Sequence, residues 1–252
     1  MRAIVRQPSE ALSQCALTFL QRQPIDFRQA SEQHRAYVAA LERGGVAVKV
    51  LPPEPDLPDA VFVEDTALVV DECAVVTRPG IESRWPEIAS IDVALQAVRP
   101  VIRISAPGTL EGGDVLRIGR TLFVGRTPRT NDEGIRQLSA ALEPHGYEVV
   151  PLTPRGCLHL KSAVSYAGME TVVLNPDWID VDSFSRWQCV PVAPEEPFGA
   201  NVLIVGQTVH TAASAPRTRI KLDALGFDTS TLDTSEFEKA EAALTCLSLL
   251  FD

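Results

Sequence analysis

Apolar positions in this chain come in short bursts whose spacing alternates between every second residue and every third or fourth. Residues 3–5 predict a strand. Residues 16–20 are a further apolar run, and 31–43 predict a helix carried by Tyr37, Val38 and Leu41 and ended by Gly44-Gly45. Residues 46–51 alternate as a strand, and the proline-rich stretch 52–58 delivers the chain to 59–70, a strand-like run interrupted by acids. Further strands are expected at 74–77, 101–104 and 147–151, and helices at 84–98 and 130–142. Hairpins are expected at 110–118 with 121–124, at 158–166 with 171–174 and, more weakly, at 201–205 with 208–211. A last strand at 243–251 can pair with 3–5.

The order hairpin, helix, strand repeats, and polar residues recur at matching places in it. Asp65, Glu111, His159, Asn201 and Cys246 follow one another at intervals of 42 to 48 residues. One supersecondary unit per such period predicts a closed, propeller-like α/β array rather than one open sheet. No linker or low-complexity segment divides the chain, so residues 1–252 are expected to form one domain.

With 45% hydrophobic residues the chain can build a sizeable core. No apolar run reaches the roughly 18 to 20 residues of a membrane span, and Met1-Arg2-Ala3-Ile4-Val5-Arg6 lacks the core of a signal peptide, which makes the cytoplasm the expected compartment. A net charge of -10 argues against nucleic acid or an anionic membrane as partner and leaves a small cation open. Five scattered cysteines without a C-x-x-C pair suit a reducing compartment. No nucleotide-binding glycine loop and no G-x-S-x-G elbow is present, so nucleotide binding and a serine-hydrolase elbow have no support, and the four histidines form no H-x-x-x-H or H-E-x-x-H, so a metal site is not expected.

Several positions carry candidate chemistry. In Leu110-Glu111-Gly112-Gly113-Asp114-Val115-Leu116 two carboxylates bracket a Gly-Gly pair. Burying such acids is costly without compensation, and Gly-Gly admits close approach to the backbone, so a cationic ligand is the expectation. Asp65 and Glu111 together suit a guanidinium, whose planar donors match carboxylates; the alternative is pairing with internal arginines or capping of turns. His159, alternating with leucines, is either a general acid and base or a structural histidine. Cys246 reads as a core thiol except for its phase in the repeat, and a nucleophilic role requires help from His159 or a bound cation. Arg84 and Arg129, each following a hairpin, are candidate carboxylate clamps.

Taken in order, these motifs resemble the dimethylarginine dimethylaminohydrolases of the guanidino-modifying superfamily, which also includes arginine deiminases. The likeness runs through Arg2-Ala3-Ile4-Val5-Arg6, Cys15-Ala16-Leu17, Pro58-Asp59-Ala60-Val61-Phe62-Val63-Glu64-Asp65, Thr77-Arg78-Pro79-Gly80 with Ser83-Arg84, the Glu111 motif, Arg129-Thr130-Asn131, Leu158-His159-Leu160-Lys161-Ser162 and Leu244-Thr245-Cys246. The resemblance implies a five-bladed α/β propeller of ββαβ-type units with pseudo-fivefold symmetry. It implies Cys246 as nucleophile, His159 as general acid and base and Glu111 as their carboxylate, with no metal or organic cofactor. Leu17, Asp59, Phe62, Glu64, Asp65, Arg84, Arg129 and Ala240 are the implied substrate-binding positions. The implied substrate is a methylated arginine, and the implied assembly a monomer or homodimer. Glu241-Ala242-Ala243 departs from the Asp and Gly common before the family's nucleophile, and His159-Leu160-Lys161 departs from the H-x-D of arginine deiminases, which favours a methylated substrate. The competing readings are a guanidino deiminase that releases ammonia and a non-catalytic binding protein for cationic amino acids.

Overall fold

The structure, a computed structural model, describes residues 1–252, whose strands form five separate three-stranded sheets in a mixed α/β fold. The first holds β1 (Arg2–Arg6), then α1 (Phe27–Arg43) and β2 (Ala47–Leu51), which lies parallel to β1. The second sheet begins with the hairpin of β3 (Ala67–Val69) and β4 (Ala74–Val76), crosses over through α2 (Ile88–Gln96) and ends in β5 (Val101–Arg103), parallel to β4. The third repeats this with β6 (Val115–Ile118), β7 (Thr121–Gly125), α3 (Asp132–Leu142) and β8 (Glu148–Leu152).

A short α4 (Leu160–Ala163) leads into the fourth sheet, made of β9 (Val164–Gly168), β10 (Thr171–Leu174) and β11 (Gln188–Pro191), whose crossover carries only a 3₁₀ turn at Val181–Phe184. The fifth comprises β12 (Leu203–Val205), β13 (Thr208–Ala212), α5 (Pro216–Ala224) and β14 (Asp228–Leu232). After α6 (Ser235–Glu238) the chain returns to the first sheet, where β15 (Leu249–Phe251) pairs antiparallel with β1, Arg2 opposite Phe251 and Ile4 opposite Leu249. β11, α5 and β14 have weak apolar spacing, and the sequence pattern does not mark them.

Each core cluster joins two sheets that follow one another in the chain. Ile4 and Leu249 pack with Val63 and Ala74; Val75 and Ile104 with Val115 and Leu122; Phe123 and Leu116 with Val172 and Leu174; Val173 and Val190 with Val202 and Val209. The fifth cluster joins Val205 and Leu232 to Val5, Tyr37 and Leu41, and so links the last sheet to the first. Burial of such side chains contributes about 1.5–3 kcal/mol each before conformational entropy is counted. α1 faces this cluster with Ala30, Tyr37, Ala40 and Leu41, and its first turn is capped by Asp26, whose side chain accepts the Gln29 N–H at 3.0 Å.

One expectation requires correction in four of the five repeats. The strand-like runs 59–70, 110–118, 158–166 and 243–251 are not continuous strands. A short helical turn precedes the first strand of each hairpin: Val63–Thr66, Gly112–Asp114, Leu160–Ala163 and Thr245–Leu247. Acidic, glycine and threonine residues there satisfy their polar groups locally, as when Thr66 donates to the Val63 carbonyl at 2.6 Å and Asp114 N–H to the Glu111 carbonyl at 3.0 Å. The alternating pattern survives, but these residues turn away from the sheet plane.

Candidate active site

The loop ahead of the first acidic turn is anchored by a buried cation. Arg6, on β1, donates to the carbonyls of Ala60 and Pro52 at 3.0 Å each and pairs with Glu54 at 2.8 Å. This fixes the path of residues 52–60 and with it Asp59, Phe62 and Asp65.

Asp65 and Glu111 are the buried acids at the centre. Asp65 Oδ1 accepts the Gly113 N–H at 3.0 Å and Oδ2 accepts from Arg84 at 2.7 Å. Glu111, fully buried, accepts the Gly80 N–H at 3.0 Å through Oε1, while Oε2 lies 2.7 Å from Nε2 of His159. Arg129 approaches Glu111 at 3.2 Å. The two carboxylates are thus matched by two guanidinium groups and an imidazole, which is what makes their burial tolerable.

The glycines explain the close packing. A Cβ on Gly112 would lie 2.0 Å from the Glu64 carbonyl oxygen, and one on Gly113 would lie 2.6 Å from His159 Nδ1 and 2.7 Å from Asp65 Oδ1. The group that approaches the Gly-Gly backbone is therefore the protein's own. Asp114 likewise faces no ligand: it accepts from Thr127 and Thr130 at 2.7 Å and from the Leu160 N–H at 3.0 Å, so it pins the turn that begins at His159.

Electrostatics separates the roles these groups can take. Burial alone would lower the His159 pKa, but Asp65, Asp114 and Glu111 outweigh it and raise it to about 9, so the imidazole is protonated at neutral pH. Burial pushes Asp65 up, yet His159, Arg84 and Arg129 pull it down to about 2. Cys246 moves the other way. Burial, with the charges of Glu64 and Asp65, holds its thiol well above the ordinary range.

Cys246 sits in the Thr245–Leu247 turn, partly exposed, its Sγ accepting the Ala243 N–H at 3.4 Å. Its neighbour Thr245 is clamped. Asn201 donates to Thr245 Oγ1 at 3.0 Å and accepts the Thr245 N–H at 3.1 Å, and Thr245 Oγ1 donates to Glu64 at 2.8 Å. Glu64 is paired with Lys161 at 2.5 Å.

One pocket brings together Cys246, His159, Asp65, Asp59, Phe62, Arg84, Arg129 and Ala240 from the expected set, together with Ala16, Leu158, Glu241 and Ala242. Glu111 lies directly behind His159. Glu64 and Leu17 are not in the pocket wall: Glu64 faces Lys161 and Thr245, and Leu17 packs against the core cluster that links the last sheet to the first. Arg84 reaches the wall with its donors committed, to Glu87 at 2.9 Å, to Asp65 at 2.7 Å and to the Phe62 carbonyl at 3.2 Å. Arg129 is freer, one of its terminal nitrogens meeting only Thr18 Oγ1 at 3.3 Å. Asn201, Lys161 and Asp114 are supports the sequence reading did not single out as site residues, although Asn201 shares the repeat phase.

Asp65, Glu111 and His159 offer three ligand atoms within 4.8 Å of one another. Those atoms are already bound by Arg84, Arg129, Gly80 and Gly113, and a divalent cation would lie against two guanidinium groups. The donor set does not fit a metal; it fits a planar cation presented to a thiol beside a protonated imidazole.

The family model described as N,N dimethylarginine dimethylhydrolase, eukaryotic, matches residues 18–186. The chain is 43% identical over 250 residues to the N(G),N(G)-dimethylarginine dimethylaminohydrolase of Streptomyces coelicolor, covering 98% of this chain and 96% of that one. It is 37% identical to the enzyme of the same name from Pseudomonas aeruginosa, covering 98% of each. A solved structure of the Pseudomonas aeruginosa protein, a cysteine-to-serine variant complexed with citrulline, superposes with a TM-score of 0.95 at 36% identity, covering 99% of this chain and 98% of that one. The chain belongs to the dimethylarginine dimethylaminohydrolase family.

Proposed function

We propose that the protein hydrolyses N-omega-methylated arginines, asymmetric dimethylarginine and monomethylarginine, to citrulline and dimethylamine or methylamine, with residues 1–252 acting as one catalytic domain. The observation that carries this reading is the convergence of a neutral thiol, a protonated imidazole and two arginine-matched carboxylates on one pocket. The names of the relatives, and the citrulline bound in one of them, support the substrate and product. The cyclic order of the core clusters supports closure of the five ββαβ units into a five-bladed propeller around the site. A monomer or homodimer is the assembly this reading takes, and five unpaired thiols suit a reducing compartment such as the cytoplasm.

The substrate guanidinium lies against Asp65, with the apolar wall of Phe62, Leu158 and Ala240 available to its methyl groups and Asp59 and Arg129 to its amino acid end. The bound cation lowers the cost of a thiolate, so the Cys246 proton is released to solvent as substrate binds. The thiolate attacks the guanidinium carbon, and His159 donates its proton to the departing dimethylamine or methylamine. The C–N bond breaks and a thiouronium carbon stays on sulfur. His159, now neutral, takes a proton from water, the hydroxide adds to that carbon, the thiolate leaves, and the added oxygen gives up its remaining proton to solvent to become the urea carbonyl as citrulline is released. Glu111 keeps the imidazolium charged and oriented through both half-reactions.

The test is release of citrulline and amine from asymmetric dimethylarginine, monomethylarginine and arginine by wild type and Cys246→Ala. Citrulline with methylamines, lost in the variant, is the expected result. Ammonia from arginine alone would make the protein a deiminase, and binding without turnover would make it a carrier.

A further inference from the structure

Residues 16–25 join the 3₁₀ turn at Glu10–Gln14 to α1 and make no backbone–backbone hydrogen bond. Side chains alone hold this strap. Asp59 accepts the Ala16 N–H at 3.1 Å, Arg129 donates to Thr18 Oγ1, and Lys239 donates to the Pro24 carbonyl at 3.1 Å. The densest anchor is Glu241. Its carboxylate accepts the N–H of Thr18 at 2.9 Å and those of Phe19 and Leu20, three successive backbone donors converging on one anion.

Glu241 adopts φ +58°, the left-handed region that a residue with a Cβ enters at a cost of about 1 kcal/mol or more. It does so five residues before the nucleophile, half-buried on the pocket wall between the buried Ala240 and Ala242, at a backbone conformation that glycine adopts without strain. The amides of residues 18–20 are the hydrogen-bond donors that meet its carboxylate. Strain kept at such a place is explained by what the side chain reaches.

We propose that Glu241 is a positioning residue for substrate binding, a latch whose carboxylate holds the strap 18–20 against the pocket so that the wall facing the amino acid end of a methylarginine is complete. Three of the strap's anchors, Asp59, Arg129 and Glu241, also line the pocket, so closing the strap and shaping that end of the site are one event. The latch contributes to binding rather than to bond cleavage, since it touches neither Cys246 nor His159. This rests on the methylarginine reading for the identity of the ligand, but the latch itself does not.

The test uses full-length wild type, Glu241→Gly and Glu241→Gln. Hydrogen exchange of the amides of residues 18–20, read without substrate, is expected to be about tenfold or more faster in Glu241→Gly, which loses the acceptor and relieves φ, and intermediate in Glu241→Gln, which keeps one acceptor oxygen. KM for the turned-over methylarginine is expected to rise about tenfold in Glu241→Gly with kcat changed less than about threefold. Unchanged amide protection in both variants would overturn the latch. Faster exchange with unchanged KM would overturn its part in binding. Lack of turnover in wild type would sink the methylarginine reading while the exchange result still decides the latch, and the Gln variant carries the same test if the Gly variant does not fold.

Discussion

Nε2 of His159 lies 2.7 Å from Oε2 of Glu111, and the other oxygen of that carboxylate is fixed by the Gly80 N–H. The acid is held at both ends, and the imidazole with it. Glu111→Gln keeps the shape and removes the charge, so the His159 pKa is expected to fall from about 9 toward its ordinary 6.5, with kcat lower by about 10²-fold. Steady-state rates from about pH 6 to 10 check this. An alkaline limb that stays in place would detach Glu111 from the protonation of His159.

The same raised pKa makes folding stability depend on pH. His159 binds its proton more tightly folded than unfolded, so its contribution is fully present below pH 6.5 and is lost as pH rises through about 9. The span corresponds to about 3 kcal/mol. Denaturant unfolding of wild type should weaken across that interval, and His159→Gln should flatten the dependence; equal slopes would refute it.

Gly113→Ala places a methyl 2.6 Å from His159 Nδ1 and 2.7 Å from Asp65 Oδ1. Both partners are buried and hydrogen-bonded, so neither can yield cheaply. The variant should lose about 1–3 kcal/mol of stability and at least tenfold in kcat. Thermal melts and rates together read it, and wild-type values for both would show that the site is looser than its geometry.

Asn201 does not line the pocket but bonds Thr245 twice, and Thr245 precedes the nucleophile. Asn201→Ala leaves a buried hydroxyl and N–H short of partners, a loss of about 1–3 kcal/mol. We expect kcat to fall about tenfold with KM little changed, and the rate of Cys246 alkylation to change in parallel. A variant less stable yet alkylated and turning over as wild type would limit Asn201 to packing.

The sequence pattern made the repeat legible because hairpins announce themselves by alternation and by turns such as Gly119-Arg120. It also made Asp65, Glu111, His159 and Cys246 legible, since each is chemically out of place in an apolar run and each keeps the same phase. What it hid was direction. Alternation cannot distinguish a strand from a short helical turn followed by a strand, so the turns that hold Asp65 and Cys246, and those that Glu111 and His159 immediately precede, read as sheet. Long-range partners were hidden too: nothing near Glu64 in the chain indicates Lys161, and nothing near Glu241 indicates the amides of residues 18–20. α5 and β14 escaped because their faces mix charge with apolar residues, as Pro216 to Ala224 shows.

The pairing of β15 with β1 also bears on how the protein comes into being. Ile4 must wait for Leu249, and the residues proposed to share the chemistry stretch from Asp65 to Cys246. During translation the first sheet therefore stays one strand short until residues 249–251 have left the ribosome, and contacts of such long sequence separation form slowly. A nascent or prematurely terminated chain holds its carboxylates and imidazole without the thiol, so reactivity arrives last, together with the strand that completes the sheet.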